Sequence, residues 1–153
     1  MRQKICQFIA IYLTALTLSI TFAHLLEMPR KMQYDQSLYV AMQHSLYLYF
    51  AWVGSIAEVA AVVFLIILCV LLRRNRRAFR LTLVATVCIT AGLAVWFLLV
   101  NTANAEMAQW GNLPLPENWD DVRRQWEYGH AISAALDLIG FGALVASVVF
   151  PGR

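Results

Sequence analysis

The chain has 153 residues, 61% of them hydrophobic, and a mean hydropathy of +0.63, which lies outside the range of soluble globular domains. Its net charge of +3 arises from 12 basic and 9 acidic residues, too few for the charged surface of a soluble protein or the broad basic face of a nucleic-acid binder. No repeat, low-complexity stretch or composition break divides it, so residues 1–153 read as one membrane domain.

Four apolar runs, roughly 5–27, 45–72, 79–101 and 129–150, each approach the ~20 residues that a spanning helix needs. They predict an all-α, four-helix transmembrane bundle. The first run follows Arg2 and Lys4, as a signal peptide would. It exceeds the ~7–15 residues of a signal h-region, however, and Thr21-Phe22-Ala23 is a poor cleavage site, so it reads as a retained helix. Pro29 predicts that this helix ends near Glu27-Met28-Pro29. The polar-aromatic stretch from Gln33 to Tyr49 extends the second helix outward, with Tyr39, Tyr47, Tyr49 and Trp52 as an aromatic belt. The third helix is expected to leave the membrane at Asn101-Thr102-Ala103-Asn104. Leu113-Pro114-Leu115-Pro116-Glu117-Asn118 then forms a turn that opens a new helix. Trp119, Val122 and Trp126 recur there at helical spacing, which predicts a short interfacial helix before the last span.

Charge orients the bundle. Arg2, Lys4, the cluster Arg73, Arg74, Arg76, Arg77 and Arg80, and Arg153 have no acidic residue near them in sequence. The other two links carry Glu27, Asp35, Glu106, Glu117, Asp120, Asp121 and Glu127 against Arg30, Lys31, Arg123 and Arg124. The positive-inside rule therefore predicts that both termini and the arginine link are cytoplasmic, in a bacterial inner (plasma) membrane. The arginine cluster reads as a topology anchor, not as a nucleic-acid patch. Cys6, Cys69 and Cys88 fall near the cytoplasmic ends, where disulfides are not expected, and their spacing fits no metal motif.

Hydrocarbon tolerates few polar groups, so the polar residues inside the spans carry the information. At ~1.5 Å of rise per residue, His24, Trp52, Asn101 and His130 all fall about 30 Å above the arginine end, with Glu58 and Asp137 about 20 Å above it. Helical spacing gives each span one polar stripe: Thr17, Thr21 and His24; His44, Ala51, Ser55 and Glu58; Thr90, Phe97, Asn101 and Asn104; Trp126, His130, Ser133 and Asp137. Facing inward, these stripes form a polar pocket that narrows onto two acids.

His24-x-x-Glu27 and Glu127-x-x-His130 are mirror images on antiparallel helices. Glu-x-x-His is the ligand spacing of di-iron bundles, but such sites use two motifs of the same sense plus two more glutamates. His24, Glu27, Glu127 and His130 are thus candidate metal ligands, and a haem between His24 and His130 is a second cofactor reading. No cofactor at all is a third. The plainer reading is that these groups hydrogen-bond one another near the headgroups. Glu58 is costly in lipid unless protonated, paired or hydrated; it reads either as a proton acceptor sharing a proton with Asp137 or as a hydrogen-bonded link between helices. Asn101 and Asn104 can donate to an oxyanion or cap a helix end. Arg123 and Arg124 fit pairing with Asp120 or Glu127 on a solvated face. Trp110, Trp119 and Trp126 fit an interfacial belt or a lid over a flat ligand.

Asn118-Trp119-Asp120-Asp121-Val122-Arg123-Arg124-Gln125-Trp126-Glu127-Tyr128-Gly129-His130, with Asn101 closing the third span and the four-span layout, resembles the DUF1772 (anthrone oxygenase-like) membrane family. Where that family has an arginine soon after the histidine, this chain has Ala131-Ile132-Ser133. The resemblance implies a small integral membrane protein, of a kind some of whose members oxidise polyketide anthrones to quinones with oxygen, and it points to Asn101, Trp126, Glu127 and His130.

The resulting expectation is a membrane oxidoreductase or monooxygenase for a hydrophobic aromatic or phenolic substrate. His130 or Glu58 would serve as base, Asn101 and His24 would steady the oxyanion, and Trp126, Trp52, Asn104 and Asp137 would line the substrate site. Lipid, the substrate and further copies of the chain are the expected partners, and nucleic acid is not. The rival readings are a ligand-binding or assembly subunit without catalysis, a metal- or haem-bearing electron carrier, and a proton-coupled carrier using Glu58 and Asp137. Small size and the missing inverted repeat weigh against the last.

Overall fold

The computed structural model describes residues 1–111 and 114–150, the side chain of Leu48 excepted. Leu113 of the expected turn and the terminal Arg153 lie outside the described residues. The elements in chain order are α1 (Arg2–Lys31), α2 (Gln36–Leu46), α3 (Leu48–Leu72), α4 (Arg76–Val95), a π-helical turn (Trp96–Val100), α5 (Asn101–Met107) and α6 (Trp119–Val149). Four stretches are long and apolar enough to cross a membrane: Arg2–Lys31, Tyr49–Leu72, Arg76–Met107 and Trp119–Val149. The protein is an all-α, four-helix transmembrane bundle.

Around the bundle α1 packs on α3 and α6, and α4 packs on the same two helices. The α3–α4 hairpin turns at the arginines, where Asn75 Oδ1 accepts the amide of Ala78 and caps α4. Two apolar clusters fill the interior. One lies at the arginine end, built on Cys6, Ala10, Leu65, Leu68, Ile89 and Leu144. The other lies at the opposite, cap end, around Tyr39, Val100, Met107, Trp110 and Trp126. A polar layer separates them. Phe8, Tyr12, Ile56, Ile66, Val87, Leu98 and Ile139 point outward, as a lipid-facing bundle requires.

Small residues set the spacing of α4 and α6. A β-carbon at Gly140 would stand 3.0 Å from Ile89 Cδ1 and 3.2 Å from Cys88 Cβ, so any larger residue would have to push these neighbours back.

Four boundaries differ from the sequence expectation. First, α1 runs through Pro29 to Lys31, because Lys31 is pulled inward by two glutamates described below. Second, α2 is a separate helix and not an extension of α3. The chain bends at Tyr47, whose hydroxyl donates to Glu27 Oε2 at 2.6 Å. Third, the helical path does not end at Asn101 but passes through the π turn to Met107. Fourth, Trp119, Val122 and Trp126 do not form an interfacial helix of their own; they open α6, with Val122 and Trp126 buried.

The inward face of the third span is a further difference. Thr90, Phe97 and Asn101, expected to share an inward stripe with Asn104, are exposed. The inward stripe is Thr82, Ala85, Ile89 and Gly92, followed by Val100, Ala103 and Met107. Val100 lies eleven residues, about three helical turns, beyond Ile89 and so shares its buried face, which leaves Asn101 about 100° further round the helix. The carbonyl of Leu99 is satisfied by Gln125 Nε2 at 2.9 Å and Thr102 Oγ1 at 2.9 Å.

Gly140→Val should lower unfolding stability in detergent by ~1–3 kcal/mol through overpacking, whereas Gly142→Val, with no atom within 4 Å of its β-position, should be tolerated. Amide exchange should also show α2 fraying first in acid. Asp35 Oδ1 accepts Leu38 N–H at 2.9 Å and Ser37 Oγ at 2.8 Å, which holds this carboxyl below its ordinary 3.8. The cap therefore contributes fully above 3.8 and is lost as pH falls through the lower folded value. Protection over Gln36–Leu46 should drop there and not at neutral pH.

Candidate functional site

The polar layer is built mainly from α1 and α6, each contributing one stripe at helical spacing. Thr14, Thr17, Thr21 and His24 are buried on α1, as are Trp126, His130, Ser133 and Asp137 on α6. The hydroxyls of Thr14 and Thr17 donate back to carbonyls of their own helix, and so remain satisfied without water.

Deepest are the two acids. Thr21 Oγ1 donates to Asp137 Oδ2 at 2.9 Å, tying α1 to α6. Ser133 Oγ donates to the carbonyl of Gly92 at 3.3 Å. A β-carbon at Gly92 would meet Asp137 Oδ1 at 3.1 Å and Glu58 Oε1 at 3.5 Å, so both carboxyl groups occupy the space that this glycine leaves. Those two oxygens are buried and find no hydrogen-bond partner among the described residues. Buried polar groups of that kind are the usual positions of bound water or ligand.

One to two turns nearer the cap end, the rings of His24 and His130 meet at a centroid distance of 4.2 Å and an angle of 34°. Trp126 presents its edge to both, at 4.9 and 4.3 Å. Tyr47 at 4.8 Å and Phe50 at 5.5 Å close the other side of His24. Trp126 Nε1 donates to Asn104 Oδ1 at 2.7 Å, leaving the Asn104 amide protons free to turn toward the cavity.

Above the histidines sits an ion-pair network that the sequence reading did not anticipate. Lys31 is 1% exposed. Its Nζ lies 3.1 Å from Glu127 Oε2 and 3.6 Å from Glu27 Oε2. The ammonium also stands 4.4 Å from the Trp126 ring centroid and 5.0 Å from that of Tyr47. Tyr39 donates to Glu127 Oε1 at 3.2 Å; burial and the neighbouring carboxylate push its hydroxyl well above the ordinary value, so it stays a donor. Arg123 is buried too, reaching the carbonyls of Tyr34 and Lys31 at 3.0 and 3.5 Å as a cap on α1. Both Arg123 and Arg124, the latter at 2.9 Å, keep the expected pairing with Asp120, but only Arg124 does so on a solvated face. Lys31 had a signal in the sequence, since His24, Glu27 and Lys31 follow a three-then-four spacing. The expected break at Pro29 hid it.

A cavity of about 50 Å³ lies between the histidines and Glu58, bordered also by Thr21, Tyr47, Trp96 and Asn104. That is room for a few water-sized molecules. It shares Tyr47, Ser55, Trp96 and Asn104 with a groove of about 700 Å³ that runs between α2–α3 and the π turn–α5, past Gln43, His44, Trp52, Asn101 and Met107.

His24, His130, Glu58, Trp126 and Asn104 therefore border one chamber, with Asp137 beneath it. Two expected members do not. Trp52 is 68% exposed and Asn101 is exposed; both belong to the outer groove. The four proposed metal ligands also fail to converge. Glu127 is committed to Lys31 and Tyr39, and His24 Nδ1 is 3.8 Å from Glu27 Oε2. Among the described residues no group of three or more His, Cys, Asp or Glu side chains is placed to hold a metal ion. Nor does the histidine pair fit a haem between its rings. Ligand nitrogens on opposite sides of a metal stand ~4 Å apart, so the ring centres must be farther apart than the 4.2 Å found.

No family model matches the chain, and no curated protein or solved structure does so either.

Removing one partner of the buried pair should be costly. Glu127→Ala should destabilise the bundle by ~3–5 kcal/mol, and the double substitution Lys31→Met with Glu127→Met should recover most of that loss in thermal unfolding in detergent. Equal loss in the double variant would show that the network's packing matters and its charge pairing does not.

Proposed function

We propose that the protein is a small membrane oxidoreductase that uses oxygen to oxidise a hydrophobic aromatic or phenolic compound taken from the bilayer. The observation that carries this reading is a chamber holding two imidazoles and a carboxyl group, closed toward the cap end by the Lys31 network and open sideways onto an aromatic groove. The resemblance of Trp119 to His130, together with Asn101, to the anthrone oxygenase-like family supports the same chemistry.

In this reaction the flat substrate lies in the groove against Trp52 and Trp96, with its acidic C–H or O–H directed to the chamber. His130 takes the proton. The free Asn104 amide, rather than Asn101, donates to the oxyanion that forms, and His24 supports it. The electron-rich anion reacts with oxygen, for which the chamber has room. For an anthrone-type methylene, the carbon becomes a carbonyl, and the second oxygen atom leaves as water with the two protons. Glu58 and Asp137 receive and relay protons beneath. The excess of arginine at the opposite end supports a cytoplasmic placement of both termini in a bacterial inner membrane, with the groove in the outer leaflet.

Purified protein should consume oxygen when given anthrone. His130→Ala should lower the rate roughly a hundredfold or more, and Asn104→Ala by a similar order. Asn101→Ala, at the rim of the groove, should raise KM and leave the rate at saturating substrate near that of the unaltered protein, and helicity should be preserved in all three. Absence of oxygen uptake, with tryptophan quenching by the same compounds retained, would establish a binding module instead.

A further inference from the structure

The end of the bundle opposite the histidines carries a second pocket with a different chemistry. Arg76, Arg77 and Arg80 begin α4 beside the last turns of α6, and with Leu81, Ala146 and Phe150 they line a depression of about 410 Å³. All three arginines are exposed, and none belongs to an ion pair among the described residues. No acid lies near them in sequence, because none occurs between Glu58 and Glu106 or after Asp137. Asn75 caps α4 through the amide of Ala78, while the earlier amides of the same turn add the positive end of the helix dipole. The floor is apolar, and Phe150 is 57% exposed on it.

We propose that this pocket binds an anionic phospholipid, with its phosphate on the three guanidinium groups and the start of an acyl chain along Leu81, Ala146 and Phe150. Guanidinium matches phosphate in a bidentate manner, and a basic pocket between spanning helices suits an acidic headgroup. A bare phosphate would gain nothing from the apolar floor. Topology alone does not account for the arrangement, since Arg73 and Arg74 supply the same charge outside the pocket. The site is separate from the histidine chamber and does not depend on the reaction proposed there.

Native mass spectrometry of the full chain in detergent tests this, with phosphatidylglycerol, phosphatidylcholine and inorganic phosphate as probes. Phosphatidylglycerol should bind at least about tenfold more tightly than phosphatidylcholine. The variant Arg76→Gln/Arg77→Gln/Arg80→Gln should lose that preference, at roughly fivefold per arginine. Phe150→Ala should weaken phosphatidylglycerol binding with all charges intact, and Arg73→Gln/Arg74→Gln should leave it unchanged. If the Arg73/Arg74 variant loses as much per charge as the pocket variant, only general surface potential is at work and the site is refuted. Full displacement of the lipid by inorganic phosphate, or no effect of Phe150→Ala, would equally refute a phospholipid site.

Discussion

Hydrocarbon offers no hydrogen-bond partner, so every polar group on a spanning helix must find one inside the protein, and this decides which faces of the helices meet. Thr14 and Thr17 are satisfied within α1, but Thr21 and His24 of the same stripe meet Asp137 and His130 on the stripe of α6. Their meeting is sealed by Thr21 on Asp137 at 2.9 Å. Once α1 and α6 are joined, α3 and α4 close the bundle. Gly92 and Gly140 let α4 approach closely enough to bring Glu58 and Asp137 together. The site is in this sense a consequence of the packing constraint.

The same constraint shapes access. Lys31, fully buried, is held by Glu127 and Glu27 and covered by Trp126 and Tyr47. A pair so deeply desolvated contributes little net stability but makes a specific closure, since any other arrangement would leave a charge unpaired. It shuts the chamber on the cap side. What remains open is the groove beside the π turn, lined by Tyr47, Trp52 and Trp96 together with Gln43, His44, Asn101 and Asn104.

The π turn at Trp96–Val100 links fold to site. It joins α4 to α5, whose Asn101 is exposed and whose Asn104 accepts from Trp126 Nε1. Gln125 and Thr102 satisfy the carbonyl of Leu99 there, so the irregularity is supported from two sides.

Hydropathy and charge alone determined the number of spans, their antiparallel order and the level at which the polar residues gather, because the bilayer penalises any other placement of those side chains. Helical spacing was enough to put His24, Glu58, His130 and Asp137 at one chamber. Periodicity assumes an unbroken helix, and it failed wherever a side chain elsewhere in the fold overrode the local signal. Pro29 suggested an end that the Lys31–Glu127 pair prevents, Tyr47 bends a helix that composition would extend, and the third span turns Ile89 and Val100 inward in place of Asn101. Only the tertiary structure could decide these points, since each depends on a partner distant in sequence: 96 residues separate Lys31 from Glu127, and 22 separate Asn104 from Trp126.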